Sequence, residues 1–134
     1  MKYPLKIVEI DNRIISYPKN TEEVSKLLKF CSKNKINVIP IGGETNRVDG
    51  TKKINTSKNI FINFDKMNKI LETDINNMIM TVQCGVKLNK IQKKAYLKKL
   101  FFPVNIAPSD KCSIGGNIST NVGGLQTLRF GNIE

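Results

Sequence analysis

Hydrophobic positions fall in short runs between Asn- and Lys-rich stretches, and their spacing alternates between strand and helix periods. Ile14-Ile15-Ser16-Tyr17 reads as a short strand halted by Pro18. Asn20 is placed to cap a helix, and Glu23 three residues on completes a capping box. Val24, Leu27, Leu28 and Cys31 lie at i, i+3, i+4 and i+7, one apolar stripe of a helix reaching about Asn34, with Cys31 as a core residue. Residues 36–41 read as a buried strand ending at Gly42-Gly43, residues 44–58 as a polar loop and residues 60–64 as the next strand. Residues 70–73 and 78–82 are strand-like and flank Asp74-Ile75-Asn76-Asn77, a hairpin in which Asn takes the left-handed turn conformation. Leu88, Ile91 and Ala95 then repeat at helical spacing, with Lys87, Lys90, Lys94 and Lys98 on the other face. Beyond Leu100 periodicity fades into a segment rich in Gly, Asn, Ser and Thr, where neither a terminal helix nor a closing strand is expected. Phe101, Phe102 and Leu125 are expected to stay uncovered there.

The length of 134 residues suits one domain with a real core. No apolar run approaches the roughly 20 residues that cross a bilayer, and residues 1–10 carry Lys2, Lys6 and Glu9 where a secretory signal is apolar. The absence of histidine excludes a Ser-His-Asp triad, a Cys-His dyad and any His-ligated metal in this chain. Cys31, Cys84 and Cys112 form no CxxC pair, fall short of a four-Cys zinc site and argue against a disulfide framework. A reducing cytoplasm is the expected setting. The balance of 22 Lys+Arg against 11 acidic residues gives a charge of +11, which attracts polyanions but serves equally as a solubilising surface.

The chemical signal sits in two glycine segments, residues 40–46 (PIGGETN) and residues 113–124 (SIGGNISTNVGG). Glycine lets the backbone turn freely and lets a ligand come close, because no Cβ intervenes. Successive exposed N–H groups form a concavity suited to phosphate oxygens, and Thr and Asn add neutral donors. Neither segment is a Walker A or a G-x-G-x-x-G fingerprint, and a Gly-Gly after a strand is also an ordinary tight turn. Both segments together suggest a linear diphosphate held between them.

Residues 17–24, 38–45, 64–70, 81–86, 114–124 and 128–131, taken in order, resemble the N-terminal part of the FAD-binding domain of FAD-linked oxidases, the fold of vanillyl-alcohol oxidase and p-cresol methylhydroxylase. The branch of the glycolate oxidase subunit, D-lactate dehydrogenase and D-2-hydroxyglutarate dehydrogenase is the most similar. The resemblance implies an α+β fold of two small α/β lobes, one at about residues 1–66 and an incomplete second at about 67–134. It implies FAD, bound without a covalent link. Carried over position by position, Ile41, Gly42, Gly43, Thr45 and Asn46 would contact the diphosphate, and Gly115, Gly116, Asn117, Thr120, Asn121, Gly123 and Gly124 would complete the cradle. Pro108 and Ser113 would lie on the approach to the isoalloxazine. For Asn117 and Asn121 a loop role through Asx turns is the alternative.

This chain departs from the family at Glu44, where relatives carry Gly or Asn, at Asn46 and Asp49, where they carry Gly, and at Ile41, where a polar or basic residue is usual. The resemblance also implies that the substrate-binding cap and its catalytic residues lie outside these residues, so no catalytic residue is assigned. The expected function is the FAD-binding portion of an oxidoreductase for a D-2-hydroxy acid, working beside a separately encoded remainder. A small basic nucleic-acid-binding protein and a gene remnant without function are the competing expectations.

Overall fold

In the computed structural model, which describes residues 2–46 and 58–133, the first strands form a hairpin. β1 (Ile7–Ile10) and β2 (Arg13–Ser16) pair antiparallel through Asp11 and Asn12. Both turn residues have positive φ, 49° and 62°, the two-residue geometry that matches the twist of the flanking strands. The apolar pattern does not predict β1. Its middle residues are exposed, so it carries no buried alternation.

α1 (Thr21–Asn34) begins where the capping box places it. The Asn20 side chain accepts from the Glu23 N–H at 2.9 Å, and the Glu23 carboxylate accepts from the Lys19 N–H at 2.8 Å. The helix ends on Lys35 in the left-handed conformation, and the Ile36 N–H closes the last turn onto the Cys31 carbonyl. Its apolar stripe differs from the expected one by one position. Leu27 and Cys31 are buried and Phe30 packs beside them, whereas Leu28 is 44% exposed.

β3 (Asn37–Ile41) and β4 (Asn59–Asn63) complete a four-stranded sheet in the order β1-β2-β4-β3. β4 runs parallel to both of its neighbours and is the central strand of the buried part, so Ile60, Phe61 and Ile62 are all buried. Pro40 is tolerated because β3 is an edge strand. Ile60 and Ile62 pack with Leu27 and Cys31, and Phe61 packs with Ile15, Ile39 and Ile41. The polar loop expected at residues 44–58, including Asp49, lies outside the described residues from 47 to 57.

The chain divides into two units. One is Met1–Ile41 with Asn46–Met67, and the other is Gly42–Thr45 with Asn68–Glu134. The second holds the hairpin of β5 (Ile70–Asp74) and β6 (Ile79–Val82). Met78 is not part of β6. It is the left-handed turn residue, φ 55°, in place of the expected Asn. Asp74 fixes this turn by accepting from the Asn77 N–H at 3.0 Å and from Asn77 Nδ2 at 2.8 Å.

α2 (Leu88–Leu97) buries Leu88, Ile91 and Ala95 as their spacing predicts. The segment beyond Leu100, expected to be irregular, contains two short helices, α3 (Ile114–Ser119) and α4 (Thr127–Phe130). Phe101 and Leu125 are exposed at 63% and 86%, but Phe102 is drawn into the core beside Val86 and Leu88.

Candidate functional site

Within the second unit, the first glycine segment lies against the residues that lead into α3. A Cβ built on Gly42 would stand 2.6 Å from Ser113 Oγ, and one on Gly43 would stand 2.1 Å from the Lys111 carbonyl oxygen. Gly116, one helical turn into the second segment, has its own Cβ position 3.3 Å from the same Ser113 hydroxyl and no other neighbour within 4 Å. Gly42 and Gly116 therefore flank one serine hydroxyl. Ser113 does not cap α3 with its side chain, so that hydroxyl is not committed to the helix.

The main-chain donors at the start of α3 divide into used and unused. The Ile114 N–H donates to the Val86 carbonyl at 2.9 Å, Gly115 to Cys84 at 2.8 Å and Asn117 to Ser113 at 3.0 Å. Among the described residues the Gly116 N–H has no main-chain acceptor. An unused N–H beside an uncommitted hydroxyl, with no Cβ on either flanking residue, is a place for an external acceptor such as a phosphate oxygen.

The other glycines answer to the protein itself. A Cβ on Gly115 would meet Cys84 Cβ at 2.8 Å, one on Gly124 the Asn105 carbonyl oxygen at 2.4 Å, and one on Gly123 the Thr127 and Asn132 side chains at 2.6 and 2.7 Å. Gly115 and Gly124 are glycine because neighbouring chain passes close by, while Gly123 meets only the ends of two side chains. Lys111, Cys84 and Asn105 act here through their backbone or Cβ, so no residue type in the sequence announces them.

The remaining expected contacts are distributed unevenly. Ile41 has its side chain in the core of the first unit with Ile15, Ile39 and Phe61, and it stands opposite Asn63 in the β3–β4 ladder. Asn46 is exposed and belongs to that same unit, whereas Thr45 belongs with Gly42 and Gly43. Asn117 is no loop residue. It is 4% exposed inside α3, and its Nδ2 donates to Cys112 Sγ at 3.6 Å. Thr120 folds its hydroxyl back onto the Gly116 carbonyl at 2.9 Å. Asn121 adopts φ 45° just past the helix, which asparagine tolerates better than most residues. Pro108 accepts from the Lys111 and Cys112 N–H groups and so shapes the turn into Ser113. α3 is only about 9 Å long at 1.5 Å per residue, and Gly123 and Gly124 lie beyond its far end from Ser113.

Glu44 is exposed and holds φ 48°. The left-handed conformation explains why glycine or asparagine suits this position, and a glutamate there bears a steric cost. Burial raises the Cys84 thiol above its ordinary value, and Cys31 likewise, so neither is poised as a nucleophile. No group of His, Cys, Asp or Glu among the described residues can hold a metal ion. No helix among them is long and apolar enough to cross a membrane.

A family model described as FAD binding domain matches residues 13–134. The chain is 33% identical to a mitochondrial D-2-hydroxyglutarate dehydrogenase of Danio rerio, over 97% of this chain and 24% of that relative. It is 38% identical to a glycolate oxidase subunit of Bacillus subtilis, over 85% of this chain and 24% of that relative. It is 37% identical to a D-lactate dehydrogenase of Anaerostipes hadrus, over 84% and 23% respectively. A solved structure of alkyldihydroxyacetonephosphate synthase superposes with a TM-score of 0.82 at 25% identity, covering 90% of this chain and 23% of that one. The chain thus spans about a quarter of the length of each of these proteins.

Proposed function

We propose, from the premise that this chain belongs to the FAD binding domain family, that it forms the FAD-binding portion of an oxidoreductase acting on a D-2-hydroxy acid. The observation that carries this reading is the unused Gly116 N–H beside the Ser113 hydroxyl, with the Cβ-less Gly42 and Gly116 on either side. That chemistry fits a diphosphate: small, acceptor-rich and served by neutral donors. Gly42, Gly43, Thr45, Ser113 and Gly116 would hold it. Gly115, Asn117, Thr120, Asn121, Gly123 and Gly124 shape α3 and the chain just past its end, and Pro108 sets the turn before Ser113. Glu44 weakens the arrangement through charge and backbone strain without blocking it.

FAD, when bound, supplies the hydride acceptor. The residues of this chain bind and orient it. We take the binding as non-covalent, and a link through histidine is excluded because these residues contain none. Substrate chemistry comes, in this reading, from a part of the oxidoreductase outside these residues, and the exposed Phe101, Leu125 and Leu128 side chains offer it an apolar contact. The proposed domain division is two lobes at about residues 1–66 and 67–134, and the free thiols suit a cytoplasmic setting.

The test is a titration of the purified chain with FAD, followed by flavin fluorescence and thermal melting and repeated at high salt. Saturable quenching that survives salt, with a raised melting temperature, is the expected result. A chain that melts cooperatively and yet gives no saturable signal would remove the proposal.

A further inference from the structure

The second unit carries a groove of about 680 Å³ that the glycine segments do not line. One wall is β5 together with the residue before it, every residue from Lys69 to Thr73 in turn. Alternate residues of a strand point to opposite faces. A groove lined by all of them runs along the strand's edge rather than over one face. That edge is open. β5 pairs with β6 alone in a two-stranded sheet, and among the described residues Leu71, Glu72 and Thr73 make no main-chain bond outside that ladder.

The other wall is α2. Lys90, Lys93, Lys94, Leu97 and Lys98 fall at i, i+3, i+4, i+7 and i+8, one continuous face of the helix, with Leu88, Ile91 and Ala95 buried on the other. Lys90 Nζ donates to the Asn68 carbonyl at 3.0 Å and so ties the helix to the approach of β5. Together the walls hold five lysines against the single carboxylate of Glu72. None of the five is ion-paired among the described residues.

The shape and chemistry select among polyanions. A bilayer has no main chain to offer an open strand edge. No aromatic or arginine side chain lines it to stack a nucleotide base. An open strand edge is satisfied by another main chain, while Ile70, Leu71 and Leu97 supply apolar surface between the charges. We propose that the groove between β5 and α2 receives an extended, acidic segment of a protein partner, which adds to the open edge of β5 as a strand and sets its carboxylates against the lysines of α2.

The probe is a short fluorescent peptide alternating Glu and Val, titrated into the full chain at low and moderate salt. We expect saturable binding that weakens with salt, falls about tenfold or more in Lys93→Glu/Lys94→Glu, and is lost when alternate peptide nitrogens are methylated. Lys93 is exposed and Lys94 half-buried, and a melting curve like that of the parent confirms that the variant folds. Absence of saturable binding would overturn the proposal. So would equal binding of the methylated peptide, because strand addition needs those donors. Tighter binding of a short oligothymidylate, or of phosphatidylserine vesicles, would replace it with a nucleic-acid or a membrane site.

Discussion

Gly43 and Lys111 approach each other so closely that a side chain on the first would collide with the main chain of the second, the Cβ position lying 2.1 Å from the carbonyl oxygen. Gly116, in contrast, meets only a hydroxyl at 3.3 Å. The two glycines should therefore respond oppositely to the same substitution. Gly43→Ala should destabilise the chain by about 1–3 kcal/mol, as overpacking does. Gly116→Ala should stay within about 1 kcal/mol of the parent, since alanine favours the helix that glycine weakens. It should nevertheless weaken FAD binding about tenfold or more, by covering the N–H that a phosphate would use. Denaturant melts and flavin titrations of both variants separate the roles. Equal stability losses would show that Gly116 is structural after all.

Glu44 holds φ 48°. Glu44→Gly should raise stability by about 0.5–1 kcal/mol, the left-handed strain less the entropy glycine brings. Removing a carboxylate near the proposed diphosphate should also tighten FAD binding. Glu44→Asn removes the charge and tolerates the same backbone, so the two variants should agree in affinity if charge dominates.

Ser16 is fully buried, and its hydroxyl has no hydrogen-bond partner among the described residues. Ser16→Ala should leave stability unchanged or raise it by about 1 kcal/mol, because an unsatisfied buried hydroxyl carries a desolvation cost. A loss of stability in a thermal melt would reveal a partner for that hydroxyl.

Burial raises the Cys84 thiol above its ordinary value, and the residue is only half-buried, whereas Cys31 and Cys112 are 1% and 2% exposed. The thiolate of Cys84 therefore forms at higher pH than in a free peptide. In the native chain Cys84 should react first with a disulfide reagent, more slowly than free cysteine at neutral pH and faster as pH rises. Cys31 and Cys112 should react only on unfolding. Simultaneous reaction of all three at neutral pH would contradict the packing.

Asp74 is held below the ordinary carboxylate range by the hydrogen bonds from Asn77. Its folded value lies below its unfolded one, so its contribution is complete above the unfolded value and is lost as pH falls through the folded value. The group is solvent-exposed, so the effect belongs to the hairpin rather than to the whole chain. The protection of the Met78 and Ile79 amides, measured against intrinsic exchange at each pH, should fall in acid, and Asp74→Ala should abolish that dependence.

Local signals in the sequence carried over well where they were strong. Asn20 and Glu23 marked the start of α1, and Leu88, Ile91 and Ala95 marked the buried face of α2, because a cap and a period are each written in a few neighbouring residues. Leu28 was misplaced because i+4 and i+3 neighbours compete for the edge of an apolar stripe, and here Phe30 takes the place. α3 was illegible for a different reason. Ile114-Gly115-Gly116-Asn117 has poor helix propensity, and the support that keeps it helical is tertiary, the Val86 and Cys84 carbonyls that receive its first donors. The glycines of the site were visible as residues. Which of them leave room for a ligand and which only make way for chain depended on Lys111, Cys84 and Asn105, whose backbone and Cβ positions no motif encodes.

Gly42–Thr45 is counted with the second unit although the residues on both sides of it are counted with the first. The polypeptide thus lends a short strap to one unit from the middle of the other's sequence. Cutting the gene at the junction after Met67 would not yield two self-sufficient halves. A polypeptide beginning at Asn68 would lack the very residues that lie against Lys111 and Ser113, and its partner would keep a strap with nothing to strap. Any natural or engineered division of this domain into separately inherited pieces must leave that strap able to return across the break.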